Sequence, residues 1–170
     1  SGFPMQPSHK MLPENIGYIN PGSLAKGEIH SIMEKFKSAR GIIIDFRSYP
    51  SDFVVFDLGE YLLKEPKAFV KFTIPDISHP GRYFFTERLQ VGGTNENAYK
   101  GKVVVLVNET TQSSAEYHVM ALQAGPDVTI IGSTTAGADG NVSFILLPGY
   151  VKTSISGIGV YYPDGRETQR

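Results

Sequence analysis

The chain has 170 residues, 16 Lys and Arg against 17 Asp and Glu, a net charge of −1 and a hydrophobic fraction of 41%, enough apolar material for one packed domain. No basic run argues for nucleic acid, and without cysteine a disulfide, a zinc–thiolate site and a thiol nucleophile are excluded. No apolar run approaches the length that spans a bilayer.

Residues 1–13, beginning SGFPMQPSHK, lack the charged and apolar stretches of a signal peptide. They read as a linker, with SG as a cloning remnant, and the domain is expected to occupy 14–170 as part of a longer protein. IGYIN (16–20) predicts a short strand. In GEIHSIMEKFKSA (27–39), Ile29, Ile32, Met33 and Phe36 recur at helical spacing, and Gly41 follows as a stop. GIIIDF (41–46) is a continuous apolar run, expected as a strand buried on both faces. Ser51 or Asp52 can then cap a helix over 53–64. KAFVKFTI (67–74) predicts a strand, and Tyr83 to Leu89 a further one. KVVVLVN (102–108) and DVTIIGS (127–133) are expected as two more buried strands, on either side of a helix from about Ser113 to Ala124. After the small-residue loop TTAGADGN, the tail has Gly and Pro punctuation between β-rich runs and reads as hairpins.

Helices alternating with apolar strands imply βαβ crossovers and a mainly parallel sheet. Ligands in such sheets bind beyond the carboxyl ends of the strands. Three polar loops occupy those positions: RSYPSD, NETTQSS and STTAGADGN. The functional site is expected among them.

NETTQSS ends in two serines where strand turns into helix. A serine hydroxyl becomes a nucleophile when a base removes its proton and donors hold the oxyanion. A helix N-terminus supplies unpaired N–H groups and a positive dipole end. The same stretch also reads as an ordinary helix start, since Ser113 and Glu116 form the capping box S-x-x-E; the two readings can coexist. Ala115, Val119 and Leu122 form the stripe expected to be buried. Ser114 and His118, four residues apart on a neighbouring face, make a rival dyad, although a mid-helix histidine is more often a structural or surface residue.

GKVVVLVNETTQSSAEYHVMALQ, VTIIGSTTAG and PGYVKTSISGIGVYYPDG, with ARGIIIDFRSYPS upstream, together resemble the C-terminal processing (tail-specific) serine peptidases, a family that includes the tricorn core. The resemblance covers roughly residues 14–167. It implies an α/β, ClpP/crotonase-like core with a mainly parallel sheet and β-rich C-terminal hairpins. It implies cleavage of protein or peptide substrates, no cofactor, upstream PDZ and helical domains, and an extracytoplasmic location, periplasmic or secreted. By position the nucleophile falls on Ser113. The oxyanion donors fall on the N–H of Ser114 and one from the Ser51/Asp52 loop. Gly137 and Ala138 fall where substrate is bound.

Two departures stand out. Most members of this family pair the serine with a lysine, and that position is Ala138 here. Glycines usual in the oxyanion loop are replaced by Ser51 and Asp52. The tricorn-like branch resembles a serine–histidine–acid arrangement instead. Glu167 is the nearest match to its acid, although a solvated glutamate after YPDG reads as well. None of His9, His30, His79 and His118 matches its histidine, and His9 reads as an exposed linker residue. A peptide-binding module without catalysis, and an acyl-CoA enzyme of the crotonase fold, are the alternative functions. No H-E-x-x-H, no cluster of His and carboxylates at ligand spacing and no phosphate-binding loop points to a metal or a nucleotide.

Overall fold

The apolar runs at 41–46 and 102–108 lie side by side at the centre of a five-stranded sheet. The computed structural model of the chain describes residues 6–169; the leading SG and the rest of 1–5 lie outside the described residues. In chain order the elements are β1 (His9–Leu12), β2 (Ile16–Ile19), α1 (Ile29–Phe36), β3 (Gly41–Asp45), α2 (Val55–Leu62), β4 (Lys67–Pro75), β5 (Tyr83–Phe85), β6 (Leu89–Val91) and β7 (Lys102–Val107). There follow α3 (Ser114–Gln123), β8 (Val128–Gly132), β9 (Val142–Leu147), β10 (Val151–Ser156) and β11 (Val160–Tyr161).

The sheet order is β1-β2-β3-β7-β8. The last four strands run parallel, with Ile19 beside Ile44, Ile44 beside Val105 and Val107 beside Gly132. Helices fall between successive parallel strands, as crossover connections require. Their apolar faces join Ile42, Ile44, Val103 and Val105 in one core. The opposite sheet face carries Ile43, Val104 and Leu106, which are only half-buried, so the run at 41–46 is not buried equally on both faces as expected.

Three further expectations need correction. Residues 9–12, assigned to the linker, form an antiparallel strand on β2. Four residues of mixed polarity carry no strand signal; pairing with β2 makes the strand. The run at 127–133, expected as a buried strand, is half-buried to exposed along its length. It forms the edge strand β8, and Ile131 is 52% exposed. The single strand expected from Tyr83 to Leu89 is two, β5 and β6, both paired with β4.

The C-terminal hairpin is present as β9 and β10, joined at Leu147↔Val151. It stands clear of the core, with Phe144 68% and Leu146 69% exposed. The chain then returns as β11 to pair with β4. Helix α3 packs against α2, β4 and β8, so residues 115–122 are all buried. The predicted stripe Ala115, Val119 and Leu122 is therefore one part of a helix enclosed all round, His118 included.

Candidate active site

Each of the three loops follows a parallel strand, and side-chain and backbone hydrogen bonds tie them together. The buried Thr111 hydroxyl donates to the Phe46 carbonyl at 2.9 Å, and Thr110 Oγ1 donates to the Arg47 carbonyl at 3.2 Å. The Ala136 N–H donates to the Thr111 carbonyl at 2.9 Å. The loop after β7 is thus held to the loops after β3 and β8.

At the end of that loop stands Ser113, with φ 51° and ψ −123°. This lies outside the regions open to an L-residue, the small left-handed well included, and such strain collects at functional sites. Residues 108–113 carry the chain from β7 to α3, and Ser113 is the last residue before the helix. Ser113 makes no side-chain cap bond, so only the Glu116 half of the capping box is hydrogen-bonded: the Ser113 N–H donates to Glu116 Oε2 at 3.0 Å. The half-buried Ser113 instead lines a cavity of about 370 Å³, shared with Ser114, Tyr49, Phe53, Phe72, Tyr117, Asp139, Gly140, Asn141 and Ile158. No described residue accepts from the Ser114 N–H, which is one of the unpaired donors of a helix start.

The rival dyad fails on chemistry. His118 is fully buried. Its Nε2 accepts from the Val54 N–H at 3.1 Å, so the ring proton sits on Nδ1, where it donates to the Ser114 carbonyl at 2.6 Å. Ser114 Oγ is 3.5 Å from that same Nδ1 and finds no lone pair there. Burial, opposed by the Ser114 carbonyl bond, holds the imidazole below its ordinary range. His118 is a structural link between α3 and the loop after β3.

The other expected site residues are placed differently from Ser113 and Ser114. Ser51 turns away: its hydroxyl donates to the Pro21 and Leu24 carbonyls at 3.0 and 2.7 Å, and its N–H to the Pro21 carbonyl at 2.9 Å. Its amide is therefore not the second oxyanion donor. Asp52 is exposed and accepts from the N–H groups of Lys26 and Phe53 at 2.9 and 2.8 Å, bonds that hold its carboxyl below the usual range. The cavity wall from this loop is Tyr49 and Phe53 instead. Gly137 and Ala138 direct their N–H groups at Glu116, at 2.7 and 3.0 Å, and not at the cavity. Glu167 is exposed and lines a separate cavity with Glu116 and Thr168, so it is not brought to Ser113.

Asp139 was not singled out in the sequence; a carboxylate in a loop rich in small residues gives no sign that it will be buried. It is 6% exposed; Oδ1 accepts from the Gly140 N–H at 2.8 Å, and Oδ2 has no partner among the described residues. Burial pushes its carboxyl up to about 6 from 3.8, with Glu116 adding to the rise and the Gly140 N–H opposing it. The folded state therefore binds this proton more tightly than the unfolded chain. Asp139 costs stability above about pH 6, and the cost disappears as pH falls toward 3.8. Asp139→Asn is expected to stabilise the protein at pH 8 by about 1–2 kcal/mol, below the full equivalent of the shift because the new amide N–H lacks a partner. Thermal melts of both proteins should show the difference closing by pH 4; a constant difference would mean that charge is not its source.

Residues 15–170 match the family model of peptidase family S41. No curated protein matches the chain by sequence. Among solved structures, the chain is similar to a candidate peptidase of Parabacteroides merdae, with TM-score 0.77, 19% identity, and coverage of 95% of this chain and 53% of that one. It is also similar to mature CPAF complexed with lactacystin, with TM-score 0.71, 15% identity, and coverage of 91% and 45%. A third is the photosystem II D1 C-terminal processing protease, with TM-score 0.64, 16% identity, and coverage of 94% and 42%. These likenesses accord with the expected ClpP/crotonase-like core. The chain spans about half the length of the structures it matches.

Proposed function

Because the chain belongs to peptidase family S41, we propose that it is the core of a serine peptidase in which Ser113 is the nucleophile. The observation that carries this reading is the backbone of Ser113, held at φ 51° and ψ −123° at the mouth of a helix and lining a cavity. Ser113 Oγ attacks the substrate carbonyl carbon and gives its proton to a base. The tetrahedral oxyanion is met by the Ser114 N–H and the positive end of α3. Collapse breaks the C–N bond, the amine leaves with a proton, and water hydrolyses the acyl-serine ester. The cavity lining contains no lysine or histidine. The base is therefore assigned to the remainder of the full-length protein. Substrates are polypeptides, entering a cavity walled by Phe53, Phe72 and Tyr117. An upstream PDZ module and an extracytoplasmic location belong to the same reading and are supported by the sequence resemblance alone.

Ala138 in the usual lysine position favours a second reading, a peptide-binding module without catalysis. A fluorophosphonate probe decides between them in the full-length protein. The peptidase reading expects one adduct, on the peptide carrying Ser113, and none in Ser113→Ala. Absence of any adduct on the full-length wild-type protein leaves the binding module.

A further inference from the structure

We infer that Glu116 is a positioning residue: its carboxylate holds Ser113 in its strained conformation and sets the distance from the nucleophile to the 133–140 loop. This rests on the assignment of Ser113 as nucleophile. A capping box asks one bond of its glutamate, to the N-cap amide. Glu116 makes four. Oε2 accepts from the Ser113 N–H at 3.0 Å and the Ala138 N–H at 3.0 Å; Oε1 accepts from the Gly137 N–H at 2.7 Å and the Thr135 hydroxyl at 2.7 Å. A carboxylate has about four acceptor sites, so the capacity is filled. Glu116 is 7% exposed, where such bonds are strong and little screened by solvent.

The four donors come from two segments. One is Ser113, whose amide direction is a consequence of its unusual φ and ψ. The others are consecutive or near-consecutive groups of the loop that carries Asp139 and Gly140 into the cavity wall. One carboxylate therefore fixes both the nucleophile's backbone and the opposite wall. If the bonds are removed, no other described group accepts from the Ser113 N–H, and the residue is free to relax to negative φ, swinging its hydroxyl away from the cavity.

The test uses full-length protein with two variants. Glu116→Ala removes all four bonds. Glu116→Gln keeps the volume and can keep its oxygen on the Ser113 and Ala138 amides, because the Thr135 hydroxyl can turn to accept from the new NH2; only the Gly137 N–H then meets a donor. In Glu116→Ala the maximal rate of fluorophosphonate labelling at Ser113 should fall at least 100-fold with probe affinity changed less than threefold. Its crystal structure should show Ser113 at negative φ. In Glu116→Gln the rate should stay within tenfold of wild type, and amide exchange should quicken at least tenfold at Gly137 but not at Ser113. A role in packing alone would move labelling only as the folded fraction moves. Ser113 unchanged at positive φ in Glu116→Ala would overturn the inference; should that variant not fold, unaltered exchange at Gly137 in Glu116→Gln would do so. If wild-type protein takes up no probe, the peptidase reading fails by itself, and the backbone of Ser113 in the variants still decides what Glu116 does.

Discussion

Ser113→Gly is expected to yield a full-length protein that is more stable than wild type by about 1 kcal/mol and takes up no fluorophosphonate. The φ of 51° and ψ of −123° at Ser113 place its Cβ in conflict with the neighbouring backbone, a strain of about 1–3 kcal/mol for such conformations. Glycine has no Cβ and occupies positive φ freely, although its unfolded chain gains entropy that offsets up to about 1 kcal/mol of the relief. The net gain should raise the melting temperature by a few degrees. Ser113→Ala supplies the control. It also lacks the hydroxyl and should not label, but it keeps the Cβ and the strain, so its melting temperature should stay near that of wild type. Equal stability of the glycine and alanine variants would show that the backbone at 113 stores no strain. A protein that gains stability when it loses its nucleophile is one whose site was shaped at the expense of the fold.

The second large effect is structural. Gly132→Ala should cost more than about 4 kcal/mol, a large share of the stability of an ordinary domain. Gly132 is the last residue of β8, paired with Val107 at the end of β7. Its φ is +141°, and a Cβ there would lie 1.8 Å from the Val107 carbonyl oxygen. That oxygen is backbone within the central sheet, so it can move only if β7 and β8 part. Parting them would also disturb the loops that lead from Val107 to Ser113 and from Gly132 to Asp139. The variant is expected to be largely insoluble, or to melt more than about ten degrees lower. Gly149→Ala is the comparison: φ is +83° but nothing lies within 4 Å of the added carbon. It should cost only about 1 kcal/mol, from backbone strain alone. Similar losses in the two variants would mean that the contact with Val107 is relieved by a small shift.

The strands β2, β3 and β7 and the helix α3 could be read from the chain because apolar periodicity and run length are local properties. The same is true of the turn that puts Ser113 before a helix. Where the structure departs from these expectations, the deciding contact is distant in sequence. Nothing in DVTIIGS tells that it ends the sheet among the described residues, so an edge strand looked like a buried one. The family resemblance placed Ser51 and Asp52 in the site, but the Ser51 hydroxyl is taken by the Pro21 and Leu24 carbonyls and the Asp52 carboxylate by the Lys26 N–H. Glu167 looked like an acid near the site, and the return of the chain along β4 leaves it outside. His118 could have served Ser114 by helical spacing; a bond from Val54, 64 residues earlier, fixes its tautomer and removes it from the chemistry.

The amino-acid sequence alone settled the alternation of strand and helix, the three loops at one end of the sheet and the serine at the head of α3, because each follows from neighbours within a few residues. Tertiary structure decided how that serine is held, which carboxylates are buried beside it, and which amides are already spent. Those outcomes depend on hydrogen bonds between loops far apart in the chain. A carboxylate such as Glu116 satisfies its oxygens with whatever donors the folded loops bring within reach, and periodicity carries no record of that meeting.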